Sequence, residues 1–293
     1  MHAAFSKTGQ ALPLCFCVLL GILCVVPLTA QLLTQPVSAR YFNLNGYTKH
    51  GADVFSTRQN PAALCQLEQP GIGAFAERRF LLQDLQLFQA SAHFMSGSSH
   101  FGVHAGYFGF SLQNQMQGTL QYARKVSSKA QIGAGFHFMQ IRQANGYGNA
   151  SAVTFSLGGI LHASEKVHAG FSTFNPMRLG FGKNPTDRLP ATYAMGLGFD
   201  ASEQTQVAIE MQKEEGQPIN VLLGFNYRMI KQIVARAGAS TQTSNYFLGF
   251  SFVPERYRFD IALSYQPQLG WSPGVGIQFT WPPKHKETLS PAP

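Results

Sequence analysis

Between Arg256 and Trp281 the sequence alternates at a period of two, and nothing else in the chain limits its fold as strongly. Tyr257, Phe259, Ile261, Leu263 and Tyr265 fall on one face of an extended segment, and Arg258, Asp260, Ala262, Ser264 and Gln266 on the other. A Pro/Gly loop, Pro267 to Pro273, follows. The alternation then resumes, with Val275, Ile277, Phe279 and Trp281 opposite Gly274, Gly276, Gln278 and Thr280. Successive side chains of a strand point to opposite sides of the sheet. This pair of strands therefore has one apolar, aromatic-tipped face and one small or polar face. A soluble antiparallel sheet can also alternate in this way. Strands of about 9–11 residues that recur down most of a chain are instead what a transmembrane barrel requires.

Fourteen such segments are predicted from Gly71 onward. They lie near 71–79, 84–94, 100–108, 118–125, 130–141, 151–162, 166–174, 191–200, 204–212, 218–228, 232–240, 244–253, 256–266 and 273–281. The clearest are Val153 to Leu161, Tyr193 to Phe199 and Tyr246 to Phe252. One set of connections is short and polar: Ser96 to Ser99, Ser127 to Lys129, Ser164-Glu165, Ser202-Glu203, Met229 to Lys231 and Pro254-Glu255. The set that alternates with it is mostly longer: Gly109 to Gln117, Gln143 to Ala150, Asn175 to Pro190, Lys213 to Gln217 and Pro267 to Ser272. Bacterial barrels have short periplasmic turns and longer external loops, and an even strand number puts both termini in the periplasm. Lipid offers the backbone no hydrogen-bond partner, so a spanning sheet must close and abolish its edges. Tyr193, Tyr227, Tyr246, Tyr265 and Trp281 stand near strand ends, as interfacial girdles require. The expected fold is an all-β transmembrane antiparallel barrel over residues 71–281, which leaves no room for a second domain.

Composition agrees. Charged residues are 12% of the 293, against roughly 25% in soluble domains. Glycine (29) and phenylalanine (24) are plentiful, and a mean hydropathy near zero argues against a bundle of transmembrane helices. The net charge of +8 comes from cations spread singly rather than in runs, so a basic lumen and loops are expected and no nucleic-acid partner. Residues 1–30 read as a signal peptide: Lys7, an apolar run from Ala11 to Leu28, and a small residue, Ala30, at the cleavage point. A leader followed by such a barrel implies a Gram-negative outer membrane. Three of the four cysteines lie in this leader, and Cys65, beside Leu64 and Leu67, is expected to be a buried apolar residue. Residues 282–293, rich in proline and charge, read as a disordered tail.

Residues 31–70 do not alternate. They carry Asp53-Val54-Phe55 and then Asn60-Pro61-Ala62-Ala63-Leu64, in which Asn before Pro marks a turn and Pro suits the first position of a short helix. Val54, Phe55, Leu64 and Leu67 favour a segment that packs into or under the barrel as a plug. Opposite the apolar stripe, Glu210, Arg228, Arg236, Arg258 and Asp260 face inward as a lumen charge network. Arg236 and Asp260 are expected to meet across Gly249, bracing strands eleven to thirteen; the functional alternative is a constriction that selects polar or anionic solutes.

These residues resemble the FadL-like superfamily of long-chain fatty acid transporters and, more narrowly, PorV/PorQ-like outer-membrane proteins. The resemblance is carried by the Asn60-Pro61-Ala62 motif ahead of strand one, and by Tyr122-Ala123-Arg124-Lys125 with Gly146-Tyr147-Gly148. It continues through Phe174-Asn175-Pro176, Arg188-Leu189-Pro190 and Tyr265-Gln266-Pro267-Gln268-Leu269-Gly270. It implies fourteen strands with an N-terminal plug, and it implies either transport of hydrophobic compounds or a place in type IX protein secretion. This chain is much shorter than the fatty-acid transporters, so their external capture region is in question.

No G-x-S-x-G, H-E-x-x-H, C-x-x-C or phosphate-binding loop is present. Ser91 with His93, and His104, His137, His162 and His168, are the raw material for a hydrolase or metal site, but without a spacing signature they read as lumen histidines. The expected protein is non-enzymatic and needs no cofactor. Its partners are outer-membrane lipid and either hydrophobic or amphipathic small molecules passing through passively, or secretion-system or surface proteins docking on it. An outer-membrane hydrolase is the remaining alternative.

Overall fold

The computed structural model describes residues 35–143, 148–181, 188–242 and 245–281. The leader (1–30), the tail (282–293) and the Gly146-Tyr147 part of one motif lie outside them. Fourteen strands close into a barrel in which each pairs antiparallel with its neighbours in sequence. They are β1 (Gly71–Arg78), β2 (Gln86–Ser96), β3 (Ser99–Gly109), β4 (Gln113–Lys125), β5 (Ala130–Gln143), β6 (Gly148–His162) and β7 (Val167–Phe174). The other half is β8 (Thr192–Asp200), β9 (Thr205–Glu214), β10 (Asn220–Ile230), β11 (Ile233–Ser240), β12 (Asn245–Phe252), β13 (Tyr257–Gln266) and β14 (Gly270–Thr280). Closure runs from Gly71↔Thr280 to Glu77↔Gly274, so no strand edge is left.

The stripe read as apolar is the outer wall. Tyr257, Phe259, Ile261, Val275 and Ile277 are exposed, while Asp260, Ala262, Ser264 and Gln278 between them are buried. Tyr193, Tyr227, Tyr246 and Tyr265 also point outward. Trp271 on β14 and Trp281 just past its end stand at the two ends of the outer face. Their separation is about 34 Å along the strand, or about 26 Å along the axis of a barrel tilted by roughly 40°, close to the apolar height of an outer-membrane barrel.

Two connections differ from expectation. β4 starts at Gln113, so the segment read as a loop from Gly109 to Gln117 is a turn over 110–112. β14 starts at Gly270, and Pro273 sits within it opposite Leu263. Proline and glycine mark a loop over 267–273, yet at the barrel rim the ladder carries on through Gly270 and Pro273. The connection over 175–191 stays long. It is knotted by Asn175, a left-handed residue (φ 51°) whose amide donates to the carbonyls of Leu179 (3.0 Å) and Leu189 (2.7 Å). Below, the rim holding this loop is the loop rim and the opposite one the turn rim.

Residues 35–67 fill the barrel. A short helix α1 (Tyr41–Asn45) and a 3-10 helix (Pro61–Gln66) are their only helical turns. Pro61 stands at the first position of the 3-10 helix, and the Asn60 side chain caps it by accepting from the Ala62 N–H (3.0 Å). The segment also crosses the lumen. Val37 and Ser38 donate to Glu77 (3.1 and 2.7 Å) at the loop rim, and Lys49 donates to Asp200 (3.0 Å) at the turn rim. Gln69 accepts from His93 at the turn rim, just before β1. Residue 35 therefore lies at the opposite rim from Gly71, although both ends of the barrel proper sit at the turn rim.

Candidate functional site

The lumen is the candidate site, and its wall differs from side to side. On the side of β9–β14 and β1 the segment is anchored by apolar packing. Tyr41, Phe42, Leu44, Val54 and Phe55 form one buried cluster with Phe75, Leu222 and Phe247. Phe42 meets Phe55 at 5.0 Å and Phe75 at 5.3 Å between ring centroids. Beneath them runs an ionic ladder. Arg258 pairs with Asp53 of the segment (3.0 Å) and with Asp260 (2.9 Å), and Arg236 reaches Asp260 at 3.5 Å with Ser251 bonded to both. Gln278 donates to the other oxygen of Asp260 (3.0 Å).

Three of the five residues predicted to form a charge network thus come together, and Asp53 joins them from a part of the chain that sequence periodicity does not address. Glu210 belongs elsewhere: it accepts from the Tyr47 hydroxyl and from Gln59, both at 2.7 Å. Arg228 is exposed at the turn-rim end of β10 and stands apart from the ladder, because its inward parity is reached only where the barrel opens to solvent. The role expected of Gly249 is also corrected. Register places Ser251, not Gly249, opposite Asp260. A side chain on Gly249 would instead meet the Tyr41 ring at 2.6 Å, and Arg236 lies over that ring, 5.1 Å from its centroid.

Over β2–β6 the wall is amide, imidazole and hydroxyl. Ser91 bonds His104 Nδ1 (2.7 Å), while His104 Nε2 lies 2.8 Å from Gln121 and 3.1 Å from Thr57 of the segment. His137 bridges Thr119 (3.0 Å) and Ser156 (2.8 Å). Arg58 donates to Gln117 (3.1 Å). Burial and the Arg79 charge push the Arg58 guanidinium down to about 10, so it stays cationic at pH 7. Ser91 therefore pairs with His104 across the ladder rather than with His93 on its own strand. Both Ser–His pairs are buried, and among the described residues no carboxylate bonds either imidazole. His93 instead lies 3.2 Å from His100. At the turn rim Gln131, His162, His168 and Asp200 form one chain with links of 2.9, 2.9 and 3.0 Å. Among the described residues no grouping of three or more His, Cys, Asp or Glu could hold a metal ion.

The plug motif is placed residue by residue. Asn60 donates to the Phe171 carbonyl (3.2 Å). Ala62 and Ala63 pack on Ile160, and Leu64 with Cys65 and Leu67 on Ala123. Pro61 abuts Gly133, where a side chain would strike its carbonyl carbon. Tyr47 is held in a slot floored by Gly170, Gly196 and Gly198.

These features define a class: a fourteen-stranded transmembrane barrel whose N-terminal segment occupies its lumen. The fold is shared with solved barrels of low sequence identity. It is similar to the Ralstonia pickettii toluene transporter TbuX, with a TM-score of 0.61 at 12% identity over 82% of this chain and 100% of that one. The CymD monoaromatic hydrocarbon channel matches with a TM-score of 0.60 at 13% identity, over 78% and 93%. A Pseudomonas aeruginosa FadL homologue matches with 0.53 at 12%, over 84% and 98%. No protein-family model and no curated protein matches the sequence.

Proposed function

We propose that the protein is an outer-membrane channel for passive entry of small hydrophobic or amphipathic molecules, with residues 35–67 as its gate and the loop rim facing outward. The observation that carries this reading is the asymmetry of the segment's attachment. Against β9–β14 and β1 it is held by aromatic packing and a buried ionic ladder. Against β2–β6 many of its bonds join polar groups that water can replace: Arg58–Gln117, Thr57–His104 and Gln121–Thr57 (2.9 Å). A solute advancing along that side displaces few apolar contacts until it meets the 3-10 helix. The lining of amides and imidazoles suits a molecule that pairs an apolar body with a polar or anionic group better than a bare hydrocarbon. Two of the similar structures are a toluene transporter and a monoaromatic hydrocarbon channel, which supports transport as the activity class.

The native Cys65 offers a test. Ala123→Cys places a second thiol against it, so oxidation ties the 3-10 helix to β4 and reduction frees it. In proteoliposomes, entry of an aromatic hydrocarbon and of an aromatic carboxylate of similar size is expected to fall on oxidation and recover on reduction. The carboxylate should be the faster of the two. Equal flux in both redox states removes the segment as the gate.

A second reading, a docking barrel for a secretion-system or surface protein of the PorV/PorQ type, is favoured by one observation. Five loop-rim connections expose a large apolar residue, Leu81, Leu112, Met177, Ile219 and Leu269. Co-purification from gently solubilised outer membranes separates the two. A stoichiometric protein partner supports docking; a barrel that emerges alone and conducts supports transport.

A further inference from the structure

The outer wall carries a groove that the transport reading does not use. Two cavities of about 770 and 460 Å³ open on the lipid-facing side of β14 and β1 to β5, and share Ala74, Ala90, Ala105 and Ile277 in their lining. Their floor is one cross-strand row: Ala74 is opposite Ala90, Ala90 opposite Ala105, and Ala105 opposite Gly118. Larger side chains close the row at both ends, Ile277 beyond Ala74 and Phe138 beyond Gly118. Phe88 and Met116 stand on its loop-rim side, and Val103 and Leu120 on its turn-rim side; all four are exposed. Elsewhere the outer wall presents large apolar side chains such as Leu197, Phe250 and Ile261. Here it is recessed by the length of a side chain.

What covers the recess follows from the charge above it. Four residues toward the loop rim, the outer faces of the same strands carry Arg78 on β1 and Arg142 on β5, with Gln86 and Asn114 in the row between them. Both arginines are exposed, and neither makes a salt bridge among the described residues. At about 3.3 Å per residue and a tilt of roughly 40°, the arginine row lies about 10 Å nearer the membrane surface than the alanine floor, the offset between a lipid's phosphate and the middle of its acyl chain. Four strand spacings separate Arg78 from Arg142, about 19 Å along the wall. That span is too wide for one phosphate and suits a headgroup with a phosphate at each end.

We propose that this face is a binding site for a bisphosphorylated, multiply acylated glycolipid of the outer leaflet. Its acyl chains lie on the alanine floor and its two phosphates meet Arg78 and Arg142. The site rests on the outward-facing loop rim of the proposed function and not on what crosses the lumen.

The test uses the full chain in nanodiscs of zwitterionic phospholipid doped with bisphosphoryl lipid A, with its dephosphorylated form, or with phosphatidylglycerol. Native mass spectrometry of the released protein then counts retained lipid. Wild type is expected to keep one bisphosphoryl molecule and to lose the dephosphorylated one. Arg78→Gln with Arg142→Gln should weaken retention about thirtyfold, at roughly fivefold per arginine near a membrane surface. Ala90→Trp, which fills the floor, should abolish retention with both arginines intact. Heat-modifiability on gels reports whether each variant has closed its barrel; should Ala90→Trp not close, the arginine pair decides the matter. Equal retention of the dephosphorylated lipid overturns the proposal, as does preference for phosphatidylglycerol. So does cross-linking of Ala105→Cys to a second barrel, which makes another copy of the chain the occupant.

Discussion

Asp260 is the residue on which most of the luminal charge converges. It accepts from Arg236, Arg258, Ser251 and Gln278, and it is buried with all of them but the half-buried Arg258. Removing it leaves two guanidiniums competing for Asp53, whereas removing Arg236 leaves Asp260 still paired with Arg258. Asp260→Ala is therefore expected to destabilise the barrel by about 3–5 kcal/mol, the range for breaking a buried pair, and Arg236→Ala by distinctly less. Urea titrations of the refolded protein in detergent measure both. An equal loss would mean that Arg258 does not hold Asp260 unaided. Glycine gives a second residue-scale case. A methyl on Gly198 would strike the backbone carbonyl of Tyr47 rather than a movable side-chain tip. Gly198→Ala should cost about 1–3 kcal/mol by overpacking and shift the Tyr47 hydroxyl off Glu210, visible as a lower melting temperature.

At the scale of elements, the 3-10 helix is where the luminal segment is tied to the wall away from its aromatic anchor. Leu64, Cys65 and Leu67 cover Ala123 of β4, and Ala62 with Ala63 covers Ile160 of β6. Burial pushes the Cys65 thiol up to about 11, so little thiolate exists at neutral pH. Maleimide should label Cys65 slowly in the closed barrel and fully after denaturation. Asn60→Ala, which removes the helix cap and the bond to Phe171, should speed labelling without unfolding the barrel. The cap is worth about 1 kcal/mol, or about fivefold in the open population. Unchanged labelling in that variant means that the helix moves as one body with β4.

For the whole molecule, lipid is the solvent of the outer wall, and position along the axis sets the penalty for charge. Leu120 faces outward in the apolar band. Leu120→Lys is expected to cost about 2–4 kcal/mol, while a lysine at Ser98, in the turn between β2 and β3, should cost about 0–1. Comparing the two by folding titration into lipid vesicles checks the height of the band independently of the tryptophans.

The chain by itself determines its closed sheet. Period-two patterning says which face meets lipid, and a backbone in lipid must satisfy every hydrogen bond within the protein, so closure follows without any distant contact. Fourteen strands, their inward and outward residues, the capped turn at Asn60 and the buried Cys65 are legible for that local reason. Strand ends at Gln113 and Gly270 are not: the polar run Gln113 to Gln117 looks like a loop, and glycine and proline at 270–273 break an isolated strand more readily than one held by two neighbours. The lumen is the other part that only the tertiary structure decides. Asp53 meets Arg258, Tyr47 meets Glu210, and Tyr41 takes the space at Gly249. Each pairing joins an aperiodic segment to a strand far along the chain, and no local rule relates their positions. Inward parity puts Glu210, Arg228, Arg236, Arg258 and Asp260 on one face. Depth along the barrel and the path of residues 35–67 then divide them into a ladder, a tyrosine partner and an exposed rim charge.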